Sequence, residues 1–447
     1  MRSSRPKLLH TLLGEALVSY PLLALKKAGI KDFIVVLGHE TQAVQQAITH
    51  LHFLADCHVE FVTQKEQLGT GHAVLQALPK LKEATDVIIV NGDSPHLNAE
   101  ILQALILEQQ RTHELAILAA NLACPTGYGR LRCEGNIVSE IIEERDADEK
   151  TRAITLVNAG VYATTAQLLR EKLPALTAHH AQGEFYLTDL VKLAKGATCV
   201  GAPEAHVVLG VNSQAELWRS AHLLGEQIIT VWHQAGVSIE ASNVVIGPHV
   251  TLEPGAIIER GATLLGNTHI ESEAHIEHHV HLHNVRVEKK AHIRAFTYAE
   301  DCHIGSKASV GPMARIRARS VIGNEAEVGN FCEIKNTILK SKAKSHHVSY
   351  LGDAEIGERT NIGAGTIICN YDGYNKPHSH IADDVFVGSN STLVAPVNIG
   401  ARAYVAAGST ITDPVPADAL ALGRAHQVVK ENYAPTLKSK LKKKKEL

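Results

Sequence analysis

The sequence predicts an α/β sheet domain followed by a left-handed parallel β-helix. Three observations carry this expectation. Helical patterns alternate with short β-branched runs from about residue 8 to 210. Apolar residues then fall at helical spacing over 213–234. From Ile246 onward, an aliphatic residue recurs every six positions.

In the first region the apolar runs 32–37 (DFIVVL), 59–62, 86–90 (DVIIV) and 115–119 have strand length. The first is followed by Gly38-His39 and the third by Asn91-Gly92-Asp93. In an open parallel sheet the ligand sits outside the carboxyl ends of the strands, so Asp93 stands where chemistry is expected. The segment 213–234 (SQAELWRSAHLLGEQIITVWHQ) reads as a linker helix over 213–237, with Ser213 as N-cap and Gly236 just past its end.

Beyond it the pattern changes. Ile246, Leu252, Ile258, Leu264, Ile270, Ile276 and Leu282 form one six-residue series. Ile304, Val310, Ile316, Ile322, Val328 and Ile334 form a second, with Ala308, Ala314, Ser320 and Ala326 four places after the aliphatic residue. Ile356, Ile362 and Ile368 continue it. Ile381, Val387, Leu393, Ile399, Val405 and Ile411 follow after an offset that implies an inserted loop. A helix needs a 3.6-residue period and a sandwich a two-residue one, whereas six residues per flat face stacks three faces per coil around an aliphatic core. The segments around 217–232 and after Pro414 are the expected end caps.

The charge balance of 44 Lys plus Arg against 47 Asp plus Glu offers no basic field for nucleic acid or an anionic membrane. The run Lys438 to Lys445 reads as a solvated, disordered tail, 426–447. Seven scattered cysteines form no CxxC pair, so neither a disulfide framework nor a zinc site is indicated, and a reducing cytoplasm fits. No apolar run has membrane-spanning length, and no signal peptide is seen.

A solenoid is a scaffold, so function must come from residues that interrupt its rhythm. The stretch 344–376 does this with two adjacent histidines, several tyrosines and asparagines, and Lys376. Acetylating an amine needs a general base, and His347 is the best one in reach; His346 and His283 read as surface residues among the 27 histidines. In the first half, Asp93 is a hard oxygen donor suited to magnesium.

The stretches SYLGDAEIG, NIGAGTIICNYDGYNK and DDVFVGSNSTLVAP, preceded by PKLLH, QLGTGHA, NGDSP, PTGYGR, LVNAGVY and GEFYLTD, closely resemble the bacterial bifunctional UDP-N-acetylglucosamine pyrophosphorylase and glucosamine-1-phosphate N-acetyltransferase family. The resemblance spans essentially the whole chain. It implies an α/β nucleotidyltransferase (Rossmann-like) domain at 1–212 and an acetyltransferase β-helix at 238–425. By the same resemblance, His347 is the catalytic base, and Arg317, Lys335, Tyr350, Asn361 and Lys376 bind the amino-sugar phosphate. Ala364, Asn370, Tyr371, Ser389, Ala407 and Arg424 hold acetyl-CoA, partly across a homotrimer. In the first domain Lys7, Gln64, Gly69, Thr70, Asn91, Gly92, Gly129, Glu143, Asn158 and Asn212 are implied to bind UTP or UDP-N-acetylglucosamine, with Asp93 and Asn212 holding Mg2+. The implied reactions are acetyl transfer to glucosamine 1-phosphate, then uridylyl transfer from UTP to N-acetylglucosamine 1-phosphate, giving UDP-N-acetylglucosamine and pyrophosphate; the product would feed peptidoglycan and, in many bacteria, lipid A.

One departure matters. The family opens with a strand and loop of the form LAAGxGTRM, and Met1 stands where that signature's methionine falls. A start placed too far downstream is the favoured explanation over a true truncation. For the chain as given, the expectation is little uridylyl transfer with acetyl transfer retained. Two rival readings are a nucleotidyltransferase with a purely structural β-helix and a non-catalytic trimeric scaffold.

Overall fold

A computed structural model of the chain describes residues 1, 3–38, 41–82, 85–178, 183–240 and 243–443. His39 of the first turn and the end of the basic tail, 444–447, lie outside the described residues. The chain divides into two compact units, Met1–Ile228 and Ile229–Leu447. The helix Gln214–Gln234 runs across that division, so the segment expected as a separate linker is shared between the units. Ser213 caps it as expected, its Oγ accepting from the Glu216 N–H at 3.2 Å.

In the first unit the expected strands form. Asp32–Leu37 pairs in parallel with His58–Thr63 along its whole length. A six-stranded sheet has the order Asp86–Ile89, Leu156–Thr165, Ala116–Asn121, Ala197–Gly201, Ile137–Ile142, Arg130–Glu134. This sheet is mixed, where the apolar runs had suggested a parallel one. Only Ala197–Gly201 on Ala116–Asn121 is parallel within it, because Leu156–Thr165 runs back between Asp86–Ile89 and Ala116–Asn121. An apolar run reports burial on both faces but says nothing of strand direction.

Along 115–120 the side chains alternate between two cores. Ala116, Leu118 and Ala120 pack with Ile101, Leu102 and Leu105 of the helix Ala99–Thr112, while Leu115, Ile117 and Ala119 pack with Leu169, Leu173 and Leu190. This is the two-residue period of a strand covered on both faces. Asp86–Ile89 terminates the six-stranded sheet, and the parallel pair Asp32–Leu37 and His58–Thr63 is hydrogen-bonded as a sheet of its own. The chain leaves Asp86–Ile89 toward Asn91, Gly92 and Asp93, which brings these residues to the sheet's open end.

The second unit is a parallel β-helix. Each strand pairs in register with the strand one coil on: Ile258 faces Ile276, Leu264 faces Leu282, Val310 faces Val328, Ile316 faces Ile334, Ile362 faces Val387 and Leu393 faces Ile411. The predicted aliphatic column is buried throughout; Ile258, Ile316 and Ile368 are 0% exposed. Each such side chain stabilises by about 1.5–3 kcal/mol.

The gaps between the sequence series are filled by coils with one residue fewer at a corner. Val287 follows Leu282 after five residues and Leu339 follows Ile334 after five, both buried. In the first case the corner is spanned by one long strand, His281–Val287. The inserted loop lies between Ile367–Cys369 and Ser379–Ile381. After Pro414 the chain continues the coil, Leu420–Ala421 pairing with Tyr404–Val405. The basic tail, expected to be disordered, forms an exposed helix Tyr433–Lys443, in which Leu437 and Leu441 are spaced to share a side.

One corner of the β-helix carries Phe296, Met313, Phe331 and Val348 one coil apart. All have positive φ, from 42° to 58°, and all are about half exposed or more. The left-handed region is unfavourable for a bulky or β-branched side chain.

Candidate active sites

His347 ends the strand Lys344–His347 and lies in register with Asn330 of Glu327–Asn330. It is exposed, and its Nδ1 is 3.1 Å from the Asn330 Oδ1. Coil by coil, the same corner then carries Ala364, Ser389, Ala407 and Arg424. The Gly365 N–H reaches the His347 carbonyl at 3.4 Å, the Asn390 N–H donates to Ala364 at 2.7 Å and the Gly408 N–H donates to Ser389 at 2.8 Å. The Arg424 guanidinium donates to the Ala407 carbonyl at 2.9 Å. Before His347 the residue after each column position is bulky (Phe296, Met313, Phe331, then Val348); beyond it that residue is Gly365, Asn390 or Gly408. The small residues of this corner thus lie on the C-terminal side of His347.

The face next to this corner gathers Arg317, Lys335 and Tyr350. Arg317 donates to the Glu333 carboxylate at 2.9 Å, and Tyr350 faces Glu333 one coil on. The Tyr350 hydroxyl accepts from the Asn370 amide at 3.3 Å, and the same amide donates to Asp353 at 2.5 Å. Asp353 also accepts from Asn336 at 2.5 Å. Asn361 lies on another face, in register with Lys344. Tyr371 and Lys376 are exposed on the inserted loop, where Asp372 accepts from the Tyr374 and Asn375 N–H groups at 2.8 and 2.6 Å. The Asn375 N–H, above all, holds the Asp372 carboxyl below its usual range.

In the first unit a cavity of about 490 Å3 is lined by Thr70, Asn91, Asp93, Gly129, Glu143, Asn158 and Asn212, all predicted site residues. The Lys7 ammonium bonds to Asp93 and, at 2.5 Å, to the Asn212 Oδ1. Gln64, Gly69 and Gly92 are not among the residues lining this cavity. Gln64 is buried and donates to the Gly69 carbonyl at 3.1 Å, and Gly69 has φ +103° with the Phe185 carbonyl 2.6 Å from where a Cβ would lie. A side chain at Gly69 is therefore excluded twice over. Glu143 accepts from the Thr188 hydroxyl at 3.1 Å, and Asn158 donates to the Tyr162 hydroxyl at 2.7 Å. Burial raises the Tyr162 phenol far above its ordinary value.

Two oxygens from distant chain positions, on Asp93 and Asn212, already share one cation, the Lys7 ammonium. Among the described residues no cluster of three or more His, Cys, Asp or Glu side chains fits a metal. A site with few protein oxygens suits an ion that keeps several waters and takes phosphate oxygens, as magnesium does.

Residues 1–185 match the model of the MobA-like NTP transferase domain, and 378–413 match that of the bacterial transferase hexapeptide, six repeats. The Bifunctional protein GlmU of Sorangium cellulosum is 41% identical over 99% of this chain and 95% of its own length. That of Paracoccus denitrificans is 41% identical over 100% and 96%. The chain belongs to the bifunctional GlmU family. A relative in Staphylococcus haemolyticus, 38% identical over 97% of this chain and 96% of its own, bears the same name. Among solved structures, UDP-glucose pyrophosphorylase complexed with UDP-glucose aligns with 50% of this chain and 91% of its own at 16% identity, with a TM-score of 0.43.

Sequence reasoning about this GlmU-family chain missed Tyr128, Gly160 and Thr188 in the first cavity and Asn330, Glu333 and Asp353 in the second unit. Gly160 carried a readable signal only through its place in the LVNAGVY motif. Its φ is +72° and a Cβ would lie 2.5 Å from the Asn91 amide, so only glycine lets Asn91 take its place. Asn330 carried a weaker one, since it precedes His347 by the seventeen residues of one coil.

Proposed function

We infer that the chain is a bifunctional enzyme. It transfers the acetyl group of acetyl-CoA to glucosamine 1-phosphate, then the uridylyl group of UTP to N-acetylglucosamine 1-phosphate, with nucleotide and acetyl-CoA as substrates. Family membership over the whole chain carries this reading. An acetyltransferase-only reading is not favoured, because the relatives matched across both halves are bifunctional.

We assign acetyl transfer to 238–425, with His347 as general base. It takes the proton from the amine nitrogen as that nitrogen attacks the thioester carbonyl; the C–S bond then breaks, and the departing thiolate takes up the proton. Arg317, Lys335 and Lys376 supply cations for the sugar phosphate, with Tyr350 and Asn361 as hydrogen-bonding groups. The Ala364, Ser389, Ala407 and Arg424 corner, with Asn370 and Tyr371 beside it, is the acetyl-CoA track; its support is the line of small residues beyond His347.

Uridylyl transfer is assigned to 1–212, in the cavity between Thr70 and Asn212. Mg2+ held by Asp93 and Asn212 would neutralise phosphate charge there. With Asp93 and Asn212 holding the ion, the Lys7 ammonium would be available to phosphate. Positioning then falls to Gln64, Gly69, Thr70, Asn91, Gly92, Gly129, Glu143 and Asn158.

A hexapeptide β-helix points to an oligomer, and we propose a homotrimer. Its support is the exposed apolar corner of Phe296, Met313, Phe331 and Val348, which a cyclic assembly would bury. The cytoplasm is the proposed setting, in keeping with seven free cysteines. No described helix is long and apolar enough to cross a membrane.

The test uses two variants of the full chain. His347→Ala should lower acetyl transfer by about 10²- to 10⁴-fold while sparing pyrophosphate release. Asp93→Ala should do the reverse, with a loss of about 10²-fold or more in pyrophosphate release. Loss of both activities in either variant, or of neither, would refute the assignment of separate sites.

A further inference from the structure

We infer that Asn330 is a positioning residue for acetyl transfer, fixing the proton of His347 on Nδ1 so that Nε2 faces the acceptor amine with a free lone pair. The inference rests on His347 being the base. Asn330 and His347 are register partners on adjacent coils, and the Asn330 carbonyl accepts from the Val348 N–H at 3.0 Å, pinning the two backbones together. The Ser349 hydroxyl holds the His347 carbonyl at 3.0 Å.

On that frame the Asn330 Oδ1 meets Nδ1 at 3.1 Å. An amide oxygen only accepts, and a neutral imidazole donates from one nitrogen and accepts at the other. Nδ1 is therefore the donor, and the lone pair is left on Nε2.

The choice of an amide also matters. The charged groups on the strands packed at this corner are Glu327, Lys344 and His346, and they are occupied with one another. Glu327 accepts from Lys344 at 2.9 Å and from His346 at 3.0 Å, and the next coil offers the neutral Asn361. Lys344, first, and His346 hold the Glu327 carboxyl below its usual range. Among the described residues no carboxylate bonds to His347. Asn330 thus orients the ring without adding a charge that would make it hold the transferred proton more tightly.

The experiment compares full-length Asn330→Ala, Asn330→Asp and His347→Ala, reading kcat, KM and the pH profile of CoA release with glucosamine 1-phosphate. Asn330→Ala should lower kcat about 10- to 100-fold with KM for the acceptor nearly unchanged, because a ring free to turn presents the wrong nitrogen. Asn330→Asp should keep the orientation but move the acidic limb of the profile up by about one pH unit, since a carboxylate favours the imidazolium. Wild-type kcat and an unmoved acidic limb in both Asn330 variants, with His347→Ala inactive, would overturn the role of Asn330 alone. Full activity in His347→Ala would overturn the general-base reading, and this inference with it.

Discussion

Removing the Asp353 carboxylate should cost the β-helix more than any exposed charge in it. Asp353 is 6% exposed, has φ +51°, and accepts from the Asn336 and Asn370 amides, each at 2.5 Å. Its N–H donates to the Lys335 carbonyl at 3.0 Å, which ties its backbone to that of the predicted phosphate-binding lysine. In Asp353→Ala both amides lose a charged acceptor, at about 1.5–3 kcal/mol each, and a left-handed alanine adds about 1 kcal/mol. Partial rehydration of Asn336 returns some of this, giving an expected net loss of about 3–5 kcal/mol. Asp353→Asn keeps one acceptor and tolerates the left-handed backbone, so its loss should be about 1–2 kcal/mol. Urea unfolding followed by circular dichroism at fixed protein concentration reads both values. Asn370 and, through it, the Tyr350 hydroxyl would also lose their anchor, so KM for acceptor and acetyl-CoA should rise about tenfold in Asp353→Ala. A stability change within about 0.5 kcal/mol, or equal losses in the two variants, would refute the reasoning.

Two other outcomes are expected. His96 is buried, its Nε2 is 3.0 Å from the Ser220 hydroxyl, and burial pushes its pKa down to about 4. Between about pH 6.5 and that value the unfolded chain binds the proton that the folded chain refuses, so stability should fall by up to about 3 kcal/mol on acidification through this window and be fully present above it. His96→Gln should flatten that slope in pH-dependent urea unfolding; an unchanged slope would reject the assignment. Phe331→Glu, in the exposed apolar corner, should dissociate the oligomer in analytical ultracentrifugation, because one carboxylate per subunit would have to be buried without a partner. Persistence of the assembly would move the interface elsewhere.

Much of the fold was legible because it rests on periodicity. The six-residue series from Ile246 to Ile411 reports burial directly, since a flat face of fixed length sets the same spacing on every coil. It failed where the corner shortens, at Val287 and Leu339, because a five-residue step breaks the count without breaking the stack. Strand direction was not legible, because Asp86–Ile89 is equally apolar beside a parallel or an antiparallel neighbour. The tail misled for a related reason. Its lysines dominate the composition, whereas Leu437 and Leu441, one helical turn apart, accompany a helix.

The sequence by itself determined the solenoid, the α/β unit and, through its motifs, the candidate residues of both sites, because these depend on local pattern and residue type. Only the tertiary structure decided which of them meet. Asn330 and His347 touch because one coil separates them, Lys7 meets Asp93 and Asn212 because the first unit folds distant segments onto one point, and Asp353 matters because two asparagines from neighbouring coils converge on it. Such contacts are set by how coils and sheets stack, and apart from the seventeen-residue spacing of one coil a linear chain carries little mark of them.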